Sequence, residues 1–216
     1  MSPAKAHLLR VTAAQVSTHD PLAHASGYEL MLYKLAGDKR RLKQIQSLRR
    51  KIEAKREMLP DYAPWISGAL SARGGGQDEV LMTVMVWMID TGNFTDALPI
   101  VRYAIRHKLV LPDQYQRTLA CLVVEEMADT AMNGRALGEV IDVAGLQAIA
   151  EITQAEDMPD QVKAKLFKAI AYGLSNKDKP AAADYFRQAL ALHPKCGVMK
   201  DLEKLEREMK NMAALK

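Results

Sequence analysis

Cysteine is nearly absent from this chain. Cys121 and Cys196 are the only two and form no CxxC pair, which excludes a disulfide framework and points to a reducing compartment. Aromatic residues reach only 6%, and no segment sustains the apolar-polar alternation of a half-buried strand. No apolar run approaches the ~20 residues that a membrane span requires. The longest, residues 80–89, is about half that and is interrupted by Thr83, so a buried core helix is expected and no membrane partner. The N-terminus has no long apolar h-region, so no signal peptide is expected. A phosphate-binding loop is missing as well. Gly74, Gly75 and Gly76 are not followed by Lys-Ser or Lys-Thr, and no strand precedes them. They read as a flexible connector, and no ATPase is expected.

What the chain has in quantity is helix formers. Hydrophobic residues make up 49% of 216, with 12 methionines. Together with Ala, Leu, Lys, Arg and Glu they favour an all-α protein. Ser2 and Pro3 open a first helix to about Val16, and residues 17–27 read as a turn. From Tyr28 the spacing of Met31, Leu35, Leu42, Ile45, Leu48 and Ile52 predicts one helix up to Pro60, bending at Gly37. A second long helix is predicted from Asp78 to Asp90, stopped at Gly92. Leu81, Met82, Met85, Trp87 and Met88 surround it, so it is expected to be buried, in part by another subunit if not wholly by this chain. Further helices are predicted from Asn93 to Leu109, over 114–134 and over 137–155. Three more follow: one capped by Asp157 or Asp160, one in the stretch after Asn176, and a last one with a seam of Val198, Leu202, Leu205, Met209 and Met212. Ala182, Phe186 and Ala189, with Pro194 beyond, are spaced like one tetratricopeptide-type hairpin. The expected architecture is a long N-terminal helical hairpin followed by a C-terminal bundle of helical hairpins with tetratricopeptide-like packing. The expected regions are 1–57 (basic), 58–110 (central core) and 111–216 (C-terminal helical domain).

Charge is unevenly spread. Residues 1–57 carry 12 Lys and Arg against 5 Asp and Glu, whereas the rest carry 18 against 21. Nine of those cations fall between Asp38 and Glu57. On a helical projection Leu35, Leu42, Ile45, Leu48 and Ile52 share one side. Lys39, Arg40, Lys43, Arg50, Lys51 and Lys55 occupy the other, while Arg41, Arg49 and Arg56 lie at the apolar border. One face packs and the other is left for a polyanion, because neutralising phosphates with Lys and Arg releases counterions. Nucleic acid is the commonest such partner for a cytoplasmic protein.

Catalytic signals are sparse. Asp78 and Glu79 are the candidates for a Mg²⁺-dependent phosphodiester cleavage, with Asp90 at the other end of the same helix. Twelve residues at 1.5 Å each separate Asp78 from Asp90 by roughly 18 Å, too far for one metal centre. Glu125 and Asp129 share a helix face, which reads first as a solvated surface. His193 and Cys196 lack the second pair that a zinc site needs, and no metal site is expected. No Ser or Cys pairs with a His as an activated nucleophile.

The strings "KREMLPDYAPWISG", "GGGQDEVLMTVMVWMIDTGNFTDAL", "IVRYAI" and "DMPDQVKAKLFK", in this order, resemble the terminase small (endonuclease) subunit of P-two-like tailed bacteriophages. The likeness runs from "SPAKAHLLRV" to the last helix. It implies a subunit that binds double-stranded phage DNA near the cohesive-end site. It also implies a ring-like homo-oligomer that recruits the large ATPase and nuclease subunit for packaging in the host cytoplasm. Mapped onto this chain, the family's basic N-terminal region corresponds to Lys39, Arg40, Lys43, Arg49, Arg50, Lys51, Lys55 and Arg56. The basic, Pro-rich tail of some relatives is expected to be missing beyond Lys216. No cofactor is implied, with Mg²⁺ needed only under the alternative that this subunit cleaves DNA itself. Docking of the large subunit is expected on 111–216.

Overall fold

The computed structural model describes residues 3–16, 25–72, 74–112 and 116–214. They form eleven α-helices and one 3₁₀ turn, with no strand among the described residues, so the protein is all-α. The chain divides into two compact units, Met1–Leu119 and Ala120–Lys216.

In the first unit α1 is Pro3–Val16, α2 Ala25–Gln44, α3 Leu48–Met58, α4 Ala63–Ala72, α5 Glu79–Asp90 and α6 Phe94–Arg106, with the 3₁₀ turn Leu59–Tyr62 between α3 and α4. The turn expected over 17–27 falls largely outside the described residues, and its last three residues already belong to α2. Helix α5 is the centre of this unit. Every residue from Val80 to Ile89 is buried, and α2, α3, the 3₁₀ turn, α4 and α6 all pack on it, while α1 lies along α4. This chain alone therefore covers α5, and no second subunit is needed to do so. Apolar side chains on all sides contribute about 1.5–3 kcal/mol each when buried. The exception is Thr83, whose hydroxyl is buried without a hydrogen-bond partner.

Three features hold the ends of α5. Asp78 caps its N-terminus, accepting from the Leu81 N–H at 2.9 Å and from the Trp65 indole at 2.8 Å. Residues 74–77, expected as a loose connector, are strapped onto α6. The Gly75 N–H donates to the Tyr103 hydroxyl at 2.9 Å. The Gln77 amide both donates to and accepts from Val110, at 2.9 and 3.0 Å. Gly75 has φ 68°, and a Cβ there would stand 2.3 Å from His107 Nδ1. Glycine is placed there for a close approach, not for looseness. At the other end Gly92 closes α5.

The second unit contains α7 Leu119–Ala136, α8 Val143–Ile152, α9 Asp160–Leu174, α10 Lys179–Leu192 and α11 Met199–Ala214. Helices α9 and α10 form a hairpin and α11 packs on α10. Pro159, not Asp157 or Asp160, is the N-cap of α9, and Asp178 caps α10. The α11 seam is consumed inside the unit. Val198, Leu202 and Leu205 form one cluster with Ala171, Ala182, Ala183 and Phe186. Only the far end, Met212, is exposed. Helix α9 tolerates a close neighbour because residue 173 is glycine. A Cβ there would lie 2.5 Å from Val143.

Candidate nucleic-acid interface

The basic stretch is two helices, not one. Helix α2 continues through Gly37 and ends at Gln44, and α3 begins at Leu48. Ser47 decides the break. Its backbone is extended (φ −70°, ψ 124°) and its side chain accepts from the Arg50 N–H. This is the N-cap geometry that serine favours, because its hydroxyl satisfies a donor orphaned at a helix start. The three-residue turn rephases the apolar pattern. Leu35 and Leu42 are buried as expected, but Leu48 is 73% exposed, and Ala54 and Met58 take over as the buried side of α3. A cleft of about 670 Å³ opens at the corner, lined among others by Arg41, Gln44, Ser47 and Arg50.

The eight cations singled out from the sequence separate into two groups. Five are engaged within this chain. The Lys39 ammonium donates to Glu79 at 2.9 Å, tying α2 to the start of α5. Lys55 pairs with Asp90, and Arg56 donates to the Thr91 carbonyl at 3.0 Å, so α3 is clamped to the end of α5. Arg49 reaches Glu53 on its own helix at 3.2 Å, and Arg40 donates to the Ala36 carbonyl at 3.3 Å. Arg41, at the border, meets Glu57 at 2.9 Å. Lys43, Arg50 and Lys51 have no carboxylate partner among the described residues. Lys43 and Arg50 are exposed and Lys51 half-buried, and they flank the corner.

The carboxylate candidates are also accounted for. Asp78 is 4% exposed, and its two oxygens serve the α5 cap and the Trp65 indole. Burial raises its pKa, and the hydrogen bonds from Leu81 and Trp65 counter that only in part. Glu79 is exposed and holds Lys39, while its N–H donates to the Tyr28 hydroxyl at 3.1 Å. Glu125 and Asp129 share Lys165, at 3.7 and 2.9 Å. No group of three or more His, Cys, Asp or Glu side chains suited to a metal occurs among the described residues. Around the corner, Tyr62 is fully buried against Asp38, its hydroxyl donating at 2.7 Å. Burial first, and Asp38 second, push that phenol far above its ordinary range.

Compared with known proteins, the model of the phage small terminase subunit family matches residues 32–161, more than half of the chain. The chain belongs to the phage small terminase subunit family. A small terminase relative is the "Terminase, endonuclease subunit" of Escherichia phage P2, 43% identical over 212 residues, 97% of this chain and 86% of that protein. A more distant one is the "Probable terminase, endonuclease subunit" of Haemophilus phage HP1, 22% identical over 149 residues, 68% of this chain and 53% of that protein. No solved structure matches. The family match covers α3 and α5 entirely and α2 from residue 32 onward, so the corner lies within the shared region. No helix among the described residues is long and apolar enough to cross a membrane.

Sequence periodicity missed the turn at 45–47, although Ser47 ahead of a basic run was a legible cap signal. It also could not separate engaged cations from free ones, because the partners Glu79, Asp90 and Thr91 lie 35 to 40 positions away.

Proposed function

We propose that this small terminase binds double-stranded phage DNA near the cohesive-end site through the α2–α3 corner, assembles into a ring-like homo-oligomer, and recruits the large ATPase and nuclease subunit for packaging in the infected host's cytoplasm. One observation carries the DNA-binding reading: Lys43, Arg50 and Lys51 pair with no carboxylate of the described residues while Lys39, Lys55 and Arg56 are spent on holding α2 and α3 to the ends of α5, and Arg50 lines an open cleft at the corner beside Glu53 and Glu57. Two helices joined by a three-residue turn, the second starting with Arg49, Arg50 and Lys51, have the connection length of helix-turn-helix DNA readers. The exposed N-terminal turn of α3 adds its helix dipole to that charge.

The test is duplex binding by the full chain with Lys43, Arg50 and Lys51 changed to Gln. Loss of three phosphate contacts lowers the slope of log K against log salt by about 2–3. An unchanged slope removes the corner from the mechanism. Changing Lys55 or Arg56 is a poorer test, since those side chains also support the fold.

A second reading has the relatives' names, which call them endonuclease subunits, behind it: the subunit itself cleaves DNA, with Mg²⁺ as the metal. Asp78 is an unfavourable ligand in that scheme, since its carboxylate is buried and occupied. Glu79 is accessible but bound to Lys39. Nicking of cohesive-end DNA by the purified chain, abolished by Glu79→Gln with the fold intact, would support this reading. Nicking that survives Glu79→Gln would place the metal ligands elsewhere.

A further inference from the structure

We infer that α6 carries a second phosphate-contacting surface for the same duplex DNA, made of Arg102, Arg106 and Lys108. The inference rests on the DNA-binding reading above. Arg102 and Arg106 lie one turn apart on the solvent side of α6, opposite Ala97, Ile100, Val101 and Ala104, which are buried. All three cations are exposed, and no carboxylate of the described residues pairs with them.

Lys108 is the informative member. Three helices end in the same motif. After α5, Gly92 N–H donates to Ile89 and Asn93 N–H to Met88, both at 2.9 Å; after α7, Gly138 N–H donates to Arg135 and Glu139 N–H to Gly134, at 3.0 and 2.9 Å. After α6, Lys108 N–H donates to Ile105 at 3.1 Å and Leu109 N–H to Ala104 at 2.8 Å. The motif requires a left-handed residue, which glycine adopts without strain. Gly92 and Gly138 fill it at φ 75° and 85°, but Lys108 fills it at φ 56°, the one non-glycine with positive φ among the described residues. A side chain at this position adds strain, and its exposed ammonium makes no hydrogen bond or ion pair with the described residues in return. Favourable interaction of a cation with the helix C-terminus is already supplied by Arg106 in the last turn. The charge at residue 108 therefore serves something outside the chain, and with Arg102 and Arg106 beside it that object is anionic.

The surface is distinct from the corner. Helix α6 packs on α5 and α4 and touches neither α2 nor α3. Residues 75–79 nevertheless fix both, since Gly75 and Gln77 hold the end of α6 while Glu79 holds Tyr28 and Lys39 of α2. The segment that carries these bonds ties both helices to the start of α5.

The experiment titrates a labelled duplex about three helical turns long with the full chain across a salt series. It compares the parent, R102Q/R106Q/K108G, K43Q/R50Q/K51Q and the single K108G. The α6 triple variant is expected to weaken binding and to lower the salt slope by about 2–3. K108G alone is expected to bind more weakly yet melt at a higher temperature, a combination that a purely structural lysine would not give. Unchanged affinity and slope in the α6 triple variant, with loss in K43Q/R50Q/K51Q, overturns this inference and leaves the corner standing. If neither triple variant changes binding, both readings fall. If the α6 variant keeps DNA binding but no longer captures the large subunit, the surface belongs to a protein contact and the inference is overturned.

Discussion

Helix α11 and the α2–α3 corner are both rich in charge, and they use it differently. In α11, Asp201, Glu203, Glu206 and Glu208 alternate with Lys200, Lys204, Arg207 and Lys210. Its acids reach back to α10 and α9: Glu208 takes Lys179 at 2.6 Å, Glu206 takes Arg187 at 2.6 Å, and Asp201 accepts from the Tyr172 hydroxyl at 2.8 Å. Between Lys39 and Ile52 there are seven cations and no carboxylate. Lys39, Arg41 and Arg49 meet Glu79, Glu57 and Glu53, whereas Arg40, Lys43, Arg50 and Lys51 pair with no carboxylate of the described residues. The cations of α11 make no ion pair among the described residues, but four acids on the same helix balance them, whereas a block of one sign keeps a residue of uncompensated charge. That residue is what a polyanion can use.

This contrast can be broken most decisively by exchanging the charge loss between the two regions. Lys43, Arg50 and Lys51 to Gln should cost on the order of a hundredfold in duplex affinity at low salt. Lys200, Lys204 and Lys210 to Gln should cost almost nothing, read by the same titration. Equal losses would mean that net charge, not placement, drives binding. A smaller effect separates clamps from free cations. Lys55→Gln and Arg56→Gln should each lower unfolding free energy by about 1–2 kcal/mol, since they release part-buried partners, measured by urea unfolding. By contrast Arg187→Gln, on an exposed pair, should leave it essentially unchanged. Within the core, Thr83→Val should stabilise by about 1 kcal/mol by removing an unpaired hydroxyl, read as a rise in melting temperature.

The subtlest test opposes two carboxylates in pH. Burial raises Asp78 in the folded state, so the folded chain holds that proton more tightly than the unfolded one. Its contribution is greatest below the ordinary Asp range and declines as pH rises through it. Glu208 is lowered by Lys179, so its contribution is present above the ordinary Glu range and is lost as pH falls. Asp78→Asn, which keeps a capping side chain, should gain on the parent as pH rises from about 4 to about 7. Glu208→Gln should lose ground over the same interval. Thermal melts across pH read both, and parallel trends would contradict the assignment.

Much of the fold was legible because its signals are local. The caps at Asp78 and Gly92, the buried run from Val80 to Ile89, and the apolar seam of α11 can each be read from a dozen residues or fewer. The site was only partly legible. The cluster of cations was evident, but the helix expected to continue from Leu42 through Ile52 stops at Gln44. The face drawn for one helix therefore splits, leaving Leu48 in solvent. Gly74 to Gly76 looked loose in sequence, and the bonds that pin Gly75 to Tyr103 and the adjoining Gln77 to Val110 are invisible there. The α6 surface escaped notice because its three cations are diluted along a mostly apolar helix.

By itself the sequence determined an all-helical chain, the positions of most helix ends, the uneven charge and the membership of the small terminase family. All of these depend on neighbours along the chain or on shared strings. Only the tertiary structure decided which cations are free, because pairing depends on distance in space. Lys39, Lys55 and Arg56 meet partners contributed by the two ends of α5. Lys43, Arg50 and Lys51 form no ion pair with the described residues, and that difference cannot be read from residue order alone.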